Sequence, residues 1–196
     1  MILFESICYV TDIKHFLIRL DETCMYKIKD SLPPNAMLLL YKSFILSHLS
    51  YGIIAWGNCY SKYLDSLLKL QKRAIRLCTG SHYLAHTEPI FKRLRLLKVV
   101  DINVLQTAIF MFKLKHNISP PYFDSMFSYN WQIHSYNTRN SENFYLTNPR
   151  TSLSSTSIRF KGPGTWHALP NNIKQCSYIS AFKRKLKNKI LASYKS

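Results

Sequence analysis

The chain has 196 residues, with 27 Lys and Arg against 10 Asp and Glu, giving a formal net charge of +17. An apolar share of 47% supplies a real core and argues against wholesale disorder. Only 5 glycines disfavour a dinucleotide-binding sheet or a turn-rich β-sandwich. The ten carboxylates are Glu5, Asp12, Asp21, Glu22, Asp30, Asp65, Glu88, Asp101, Asp124 and Glu142; they are scattered, and no two Asp are adjacent. Two-metal polymerase or nuclease chemistry must gather several around Mg²⁺, so the sequence reads as built to sit on polyanions.

So basic a chain attracts nucleic acid or an anionic membrane. Cys8, Cys24, Cys59, Cys78 and Cys176 are odd in number and widely spaced, with no C-x-x-C pair. They read as small buried thiols in a reducing compartment, so an intracellular location, nuclear or cytoplasmic, is expected. No secretory signal pattern is present. The apolar stretch 36–56 is interrupted by Lys42, Ser43, Ser47, His48 and Ser50, which predicts a buried amphipathic helix and no membrane partner.

Residues 1–30 show no clear periodicity and stay unassigned. Pro33 and Pro34 break the chain, and Asn35 is placed to cap the next helix. From Ala36 to about Gly57, Leu38, Tyr41, Ile45, Leu49 and Gly52 form one helical stripe, closed by Gly57-Asn58 in left-handed geometry. The clearest helix follows. Leu64, Leu67, Leu68, Gln71, Ile75 and Cys78 share one face, with Lys62, Lys69, Lys72, Arg73 and Arg76 roughly opposite. Thr79-Gly80 closes it. That basic stripe is either a solvated face or a phosphate-facing surface, and the shortage of acids favours the second.

Thr87 and Pro89 open a short helix, and Asp101 caps another that carries Ile102, Leu105, Ile109 and Phe112 on one face. Asn117 to Pro121 ends it. Tyr122, Phe123, Met126 and Phe127 read as a short apolar helix or anchor. Residues 130–165, rich in Asn, Ser, Thr and Arg, read as extended or irregular with room for one hairpin. Eleven of the 27 basic residues but one acid lie after Asp124. Ser180 to Tyr194 is helical, with Phe182, Leu186 and Ile190 in line beside Lys183, Arg184, Lys185, Lys187 and Lys189.

Cys78, His82 and His86 are spaced by four but lack a fourth ligand, and Gly80 falls between them, so neither a metal site nor a cofactor is expected. The seven His have no Ser or Cys partner in a nucleophile elbow. Gly162-Pro163-Gly164 is too short and proline-bound for a phosphate loop. His134-Ser135-Tyr136-Asn137-Thr138-Arg139 offers a ring, polar donors and a guanidinium that suit a strand's phosphate and base. Its alternative is a loop whose Asn and Thr satisfy local turns while Tyr136 packs inward.

Several short motifs occur in one order. They are Leu32-Pro33; Leu40 to Ile45 and Leu49-Ser50-Tyr51-Gly52 with Ala55-Trp56-Gly57; and Leu67 to Arg76. Then come His86 to Phe91 with Leu94 and Leu97; His134 to Arg139; Gly162 with Trp166-His167-Ala168-Leu169-Pro170 and Ile173; and Phe182-Lys183 with Leu186-Lys187. Across roughly residues 31–190 this order resembles the region after the palm in non-LTR (LINE-like, jockey-type) retrotransposon reverse transcriptases. The resemblance implies a helical thumb at about 31–116 followed by a basic C-terminal region. In such enzymes the thumb holds the template–primer duplex, and the catalytic aspartates lie in the upstream palm, outside the matching stretch. Residues 1–30 depart from the family pattern, and His167 stands where the family often has Asn.

The expectation is a mainly α protein. It has an unassigned segment 1–30, a helical thumb-like domain 31–127 and a basic, partly irregular C-terminal region 128–196 ending in a helix. Its expected partner is template–primer RNA or DNA, beside a palm and fingers supplied in an intact element. Lys69, Lys72, Arg73, Arg76, Arg139, Lys183, Arg184, Lys185 and Lys187 would meet phosphates, and Tyr136 would stack. Trp166 is a second ring, for stacking or for the core. No catalysis is expected of the chain alone. The competing expectation is a degenerate transposon-derived interaction module without a nucleic-acid ligand.

Overall fold

The computed structural model describes residues 10–15, 25–133 and 141–195. The protein is mainly α: among the described residues the extended pairing is one isolated antiparallel bridge, Tyr129 to Phe144. The chain divides into two compact units, residues 1–103 with 189–196, and residues 104–188. Among the described residues no helix is long and apolar enough to cross a membrane.

In the first unit, α1 (Pro34–Leu40) runs on through a π-helical stretch, Tyr41–Leu46, and a last turn, Ser47–Ser50. The expected cap, Asn35, is not the cap. Pro33 holds that position in extended geometry and Pro34 opens the helix, where its missing N–H costs nothing. The π-helical stretch has a local cause. The Ser43 hydroxyl donates to the Leu39 carbonyl at 3.0 Å, Ser47 to Ser43, and Ser50 to Leu46 at 2.6 Å, so side chains compete for carbonyls of the helical ladder. The helix stops at Tyr51 and does not reach Gly57. Gly52, at φ +57°, is the left-handed residue that turns the chain into α2 (Ile53–Trp56); Gly57, at φ −70°, is not. Gly57 is needed for another reason. A Cβ there would stand 2.7 Å from the Asn103 side chain, which donates to the Gly57 carbonyl at 2.8 Å.

Helix α3 (Ser61–Thr79) buries Leu64, Leu67, Gln71, Ala74, Ile75 and Cys78 and packs against α1. It ends in a Schellman motif: Gly80 at φ +61°, with Gly80 N–H to Leu77 O at 3.3 Å and Ser81 N–H to Arg76 O at 3.0 Å. Helix α4 (Glu88–Arg93) starts after Thr87, which sits at the cap position without a side-chain cap bond.

Helix α5 (Val99–Lys115) begins two residues before Asp101, so Asp101 lies in its first turn and is not its cap. Remote side chains fill that role. Gln71 Oε1 accepts from Val99 N–H at 2.8 Å, and the Tyr194 hydroxyl accepts from Lys98 N–H at 3.1 Å. Gln71 is fully buried, and its amide nitrogen donates to the Tyr41 hydroxyl and to the Leu97 carbonyl, each at 3.0 Å. One side chain thus satisfies a helix start, a loop carbonyl and a buried phenol.

In the second unit the core is aromatic. Phe112, on α5, and Phe182, on α7 (Ile179–Ala192), have ring centroids 4.6 Å apart; Trp166 stacks on Phe182 and meets Phe144 edge-on. Residue 130–165 irregularity is only partly what forms. Ile158–His167 is a regular helix, α6, with Pro163 inside it. Gly162 allows this packing, since a Cβ there would lie 2.6 Å from Met111 Sδ. Residues 116–118 close α5 with a second Schellman motif, Asn117 taking φ +53°. Tyr122 and Phe123 fall on a 3-10 turn, Pro121–Met126.

Replacing Gln71 with Met keeps the volume but orphans three buried groups. The expected cost is about 2–4 kcal/mol, read as a lower urea midpoint at unchanged m. Lys72→Ala on the same helix should stay within about 0.5 kcal/mol. Equal midpoints for the two variants would refute the role given to Gln71.

Candidate nucleic-acid interface

The sequence nominates two basic groups, and they belong to different units. On α3, Lys69 and Arg73 are exposed, while Lys72 and Arg76 are half-buried. Helical geometry, at about 100° per residue, puts Lys69, Arg73 and Arg76 on the side away from Gln71 and Lys72 on the flank between. Arg76 is partly committed to structure: its Nε donates to the Ala85 carbonyl at 2.9 Å, tying the loop after α3 back to the helix. On α7, Lys183, Arg184 and Lys185 are exposed and Lys187 is half-buried, flanking the buried line of Phe182 and Leu186. Tyr136 and Arg139, with the whole His134–Arg139 motif, lie outside the described residues.

Trp166 is core. It has no exposed surface, and its Nε1 finds no hydrogen-bond partner among the described residues. A ring the sequence reading passed over is outside instead: Trp131 is 59% exposed, its plane 14° from that of Tyr129 with centroids 6.3 Å apart. An aromatic between Asn130 and Gln132, near a strand-like bridge, carries little local signal of exposure. Cys78 is buried and donates its thiol to the Met37 carbonyl at 3.4 Å, while His82 and His86 are exposed. Among the described residues no three His, Cys, Asp or Glu side chains gather as a metal set would need.

Two acids do approach one another in the first unit, and each has its own partner. Glu88 pairs with the Lys98 ammonium, and that hydrogen bond holds its carboxyl below the usual range. Asp101 accepts from the Tyr194 hydroxyl; burial still pushes its carboxyl up, against that bond and the Lys98 charge. Lys98 Nζ also lies over the Tyr194 ring, 4.5 Å from its centroid, and Lys92 Nζ donates to the Tyr194 carbonyl at 3.1 Å. These contacts fasten the chain's end to the start of α5 and leave neither carboxylate idle.

Comparison with family profiles, with curated proteins and with solved structures found no match to this chain.

Burial pushes the hydroxyls of Tyr41 and Tyr194 above the usual tyrosine range. In the unfolded chain they ionise near pH 10. Above about that pH the unfolded state holds fewer protons than the folded one, so stability falls as pH rises. Tyr194→Phe should flatten that alkaline fall and cost about 1–3 kcal/mol at neutral pH, where Lys98 N–H and Asp101 lose their partner. Urea midpoints at neutral pH and above about pH 10 measure both effects. Parallel pH profiles for the two proteins would contradict them.

Proposed function

We propose that this chain binds template–primer nucleic acid through its sugar–phosphate backbone and is itself non-catalytic. In this reading it corresponds to the thumb and downstream region of a non-LTR retrotransposon reverse transcriptase, works beside a palm and fingers, and acts inside the cell, in nucleus or cytoplasm. The observation that carries the reading is the basic stripe of α3, with Lys69 and Arg73 exposed and Lys72 half-buried, in a chain of charge +17. Lys69, Lys72 and Arg73 lie on one face at spacings that follow a helix, and Asp65 is the acid on that helix. A cationic stripe on a rigid helix exchanges condensed counterions for lysine and arginine contacts, a gain that favours any strand over a neutral partner. Lys183, Arg184, Lys185 and Lys187 give the second unit a basic helix of its own. Trp131 adds an exposed ring of the kind on which bases stack.

Catalysis by the chain alone is not part of this reading. The acids that come together, Glu88 and Asp101, serve Lys98 and Tyr194. A primer-extension assay with Mg²⁺ is expected to yield no product.

Binding to a primer–template duplex, followed over a salt series, tests the proposal. The Lys69→Ala, Lys72→Ala, Arg73→Ala triple variant spares Arg76, so its fold should persist. If these three side chains meet phosphates, the slope of log affinity against log salt should become shallower by about 2–3. An affinity flat across salt, or a slope unchanged in the triple variant, would instead favour a transposon-derived interaction module with no nucleic-acid ligand.

A further inference from the structure

A cleft of about 630 Å³ opens in the second unit, where Lys115 and His116 at the end of α5 face Glu142, Asn143, Lys174 and Ser177. The geometry points to a binding site for a phosphomonoester, with its dianionic head between the Lys115 and Lys174 ammonium groups and amide and hydroxyl donors around it. The proposal does not depend on strand binding by α3, whose stripe belongs to the other unit.

Three observations carry it. First, the cleft's cations outweigh its acid. Glu142 is the acid lining it, its carboxylate 3.9 Å from Lys115 Nζ and its side chain 87% exposed. So open a pair holds weakly and yields readily to a better anion. Second, Lys174 is positioned: half-buried, it donates one N–H to the His167 carbonyl at 3.2 Å. Burial, and then the Lys115 charge, hold its ammonium below the usual lysine range. Two ammonium groups that repel one another across a shared space are relieved by a doubly negative ligand. Third, the remaining wall suits phosphate oxygens. Asn143, Asn171, Gln175, Ser141 and Ser177 supply N–H and O–H donors around a concave rim.

The charge count selects the ligand class. A phosphodiester carries one negative charge, whereas a terminal phosphate carries about −1.5 to −2 near neutral pH. Two lysines opposite one loosely held carboxylate match the second better. The site therefore takes a terminal phosphate group on a small molecule or at a chain end, rather than the run of a backbone.

Calorimetric titration of the full chain with glycerol 1-phosphate, dimethyl phosphate and glycerol tests this. Glycerol 1-phosphate is expected to bind saturably, dimethyl phosphate more weakly, and glycerol not at all. Lys115→Gln and Lys174→Gln should each weaken glycerol 1-phosphate roughly tenfold, the worth of one charge-assisted hydrogen bond. Glu142→Gln should tighten it, a change of opposite sign that a damaged fold does not produce. No saturable binding by the folded chain, equal affinity for the diester, or undiminished binding in the double lysine variant would each overturn the proposal.

Discussion

The first unit is organised around one buried amide. Gln71 sits on the apolar face of α3, shows no exposed surface and makes three hydrogen bonds, to Tyr41, Leu97 and Val99. An uncapped helix start or a lone buried phenol would each carry a desolvation cost of about 1–3 kcal/mol. Gln71 removes several such costs at once, and only in one rotational setting of α3. That setting has a consequence on the far side of the helix. With about 100° of turn per residue, Lys69, Arg73 and Arg76 point away from whatever Gln71 points toward, and Lys72 lies to the side. The polar group in the core thus fixes the direction of the basic stripe on the surface. A hydrophobic residue at the same place would fill the space without selecting the rotation so sharply.

The acids follow a complementary logic. With 10 acids against 27 basic residues, an ion pair is a scarce resource. Glu88 is spent on Lys98, and Asp101 on the Tyr194 hydroxyl, both at the junction of α4, α5 and the chain's last residues. Asp101 lies where burial raises its carboxyl pKa, so the tyrosine hydrogen bond offsets part of the cost of keeping charge there. These two acids serve local structure at that junction rather than the helix faces of α3 and α7. A surface rich in cations destabilises a compact state slightly and attracts polyanions strongly.

What the sequence disclosed, and what it hid, divides along the range of the interactions. Helix α3 and the final helix were legible because one apolar stripe opposes a charged one, and periodicity reports that directly. Gln71 was placed on the core face by its spacing, but its partners lie 26 to 30 residues away, and no local pattern reveals them. The same range explains the misplaced caps. Asn35 and Asp101 have the right chemistry to cap, yet Pro33 and the remote Gln71 and Tyr194 occupy those roles. Helix α6 was hidden because the Asn, Ser, Thr and Arg content of residues 130–165 read as extended or irregular, and its own sequence holds Gly162-Pro163-Gly164. Packing of Gly162 against Met111, and of Trp166 against Phe182, outweighs weak helix propensity there. The basic stripes were plain in the sequence, whereas the cleft joins Lys115 to a lysine 59 positions on, and composition carries no trace of it.

The two kinds of cationic site differ in what they can recognise, and the difference follows from confinement. Lys69 and Arg73 project from a helix into solvent, where water and salt screen them and long flexible stems blur their positions. Such a stripe rewards any dense run of phosphates and distinguishes little among them. Lys174 is tethered to the His167 carbonyl and half withdrawn from water, and Lys115 pairs with an exposed acid at 3.9 Å. Charges fixed in a concave, partly desolvated setting interact more strongly and over a defined distance, so they separate a dianion from a monoanion where an open stripe cannot. If α3 meets strands and the cleft a phosphomonoester, as proposed, the same lysine chemistry gives breadth in the first and selectivity in the second, with burial as the variable that sets which.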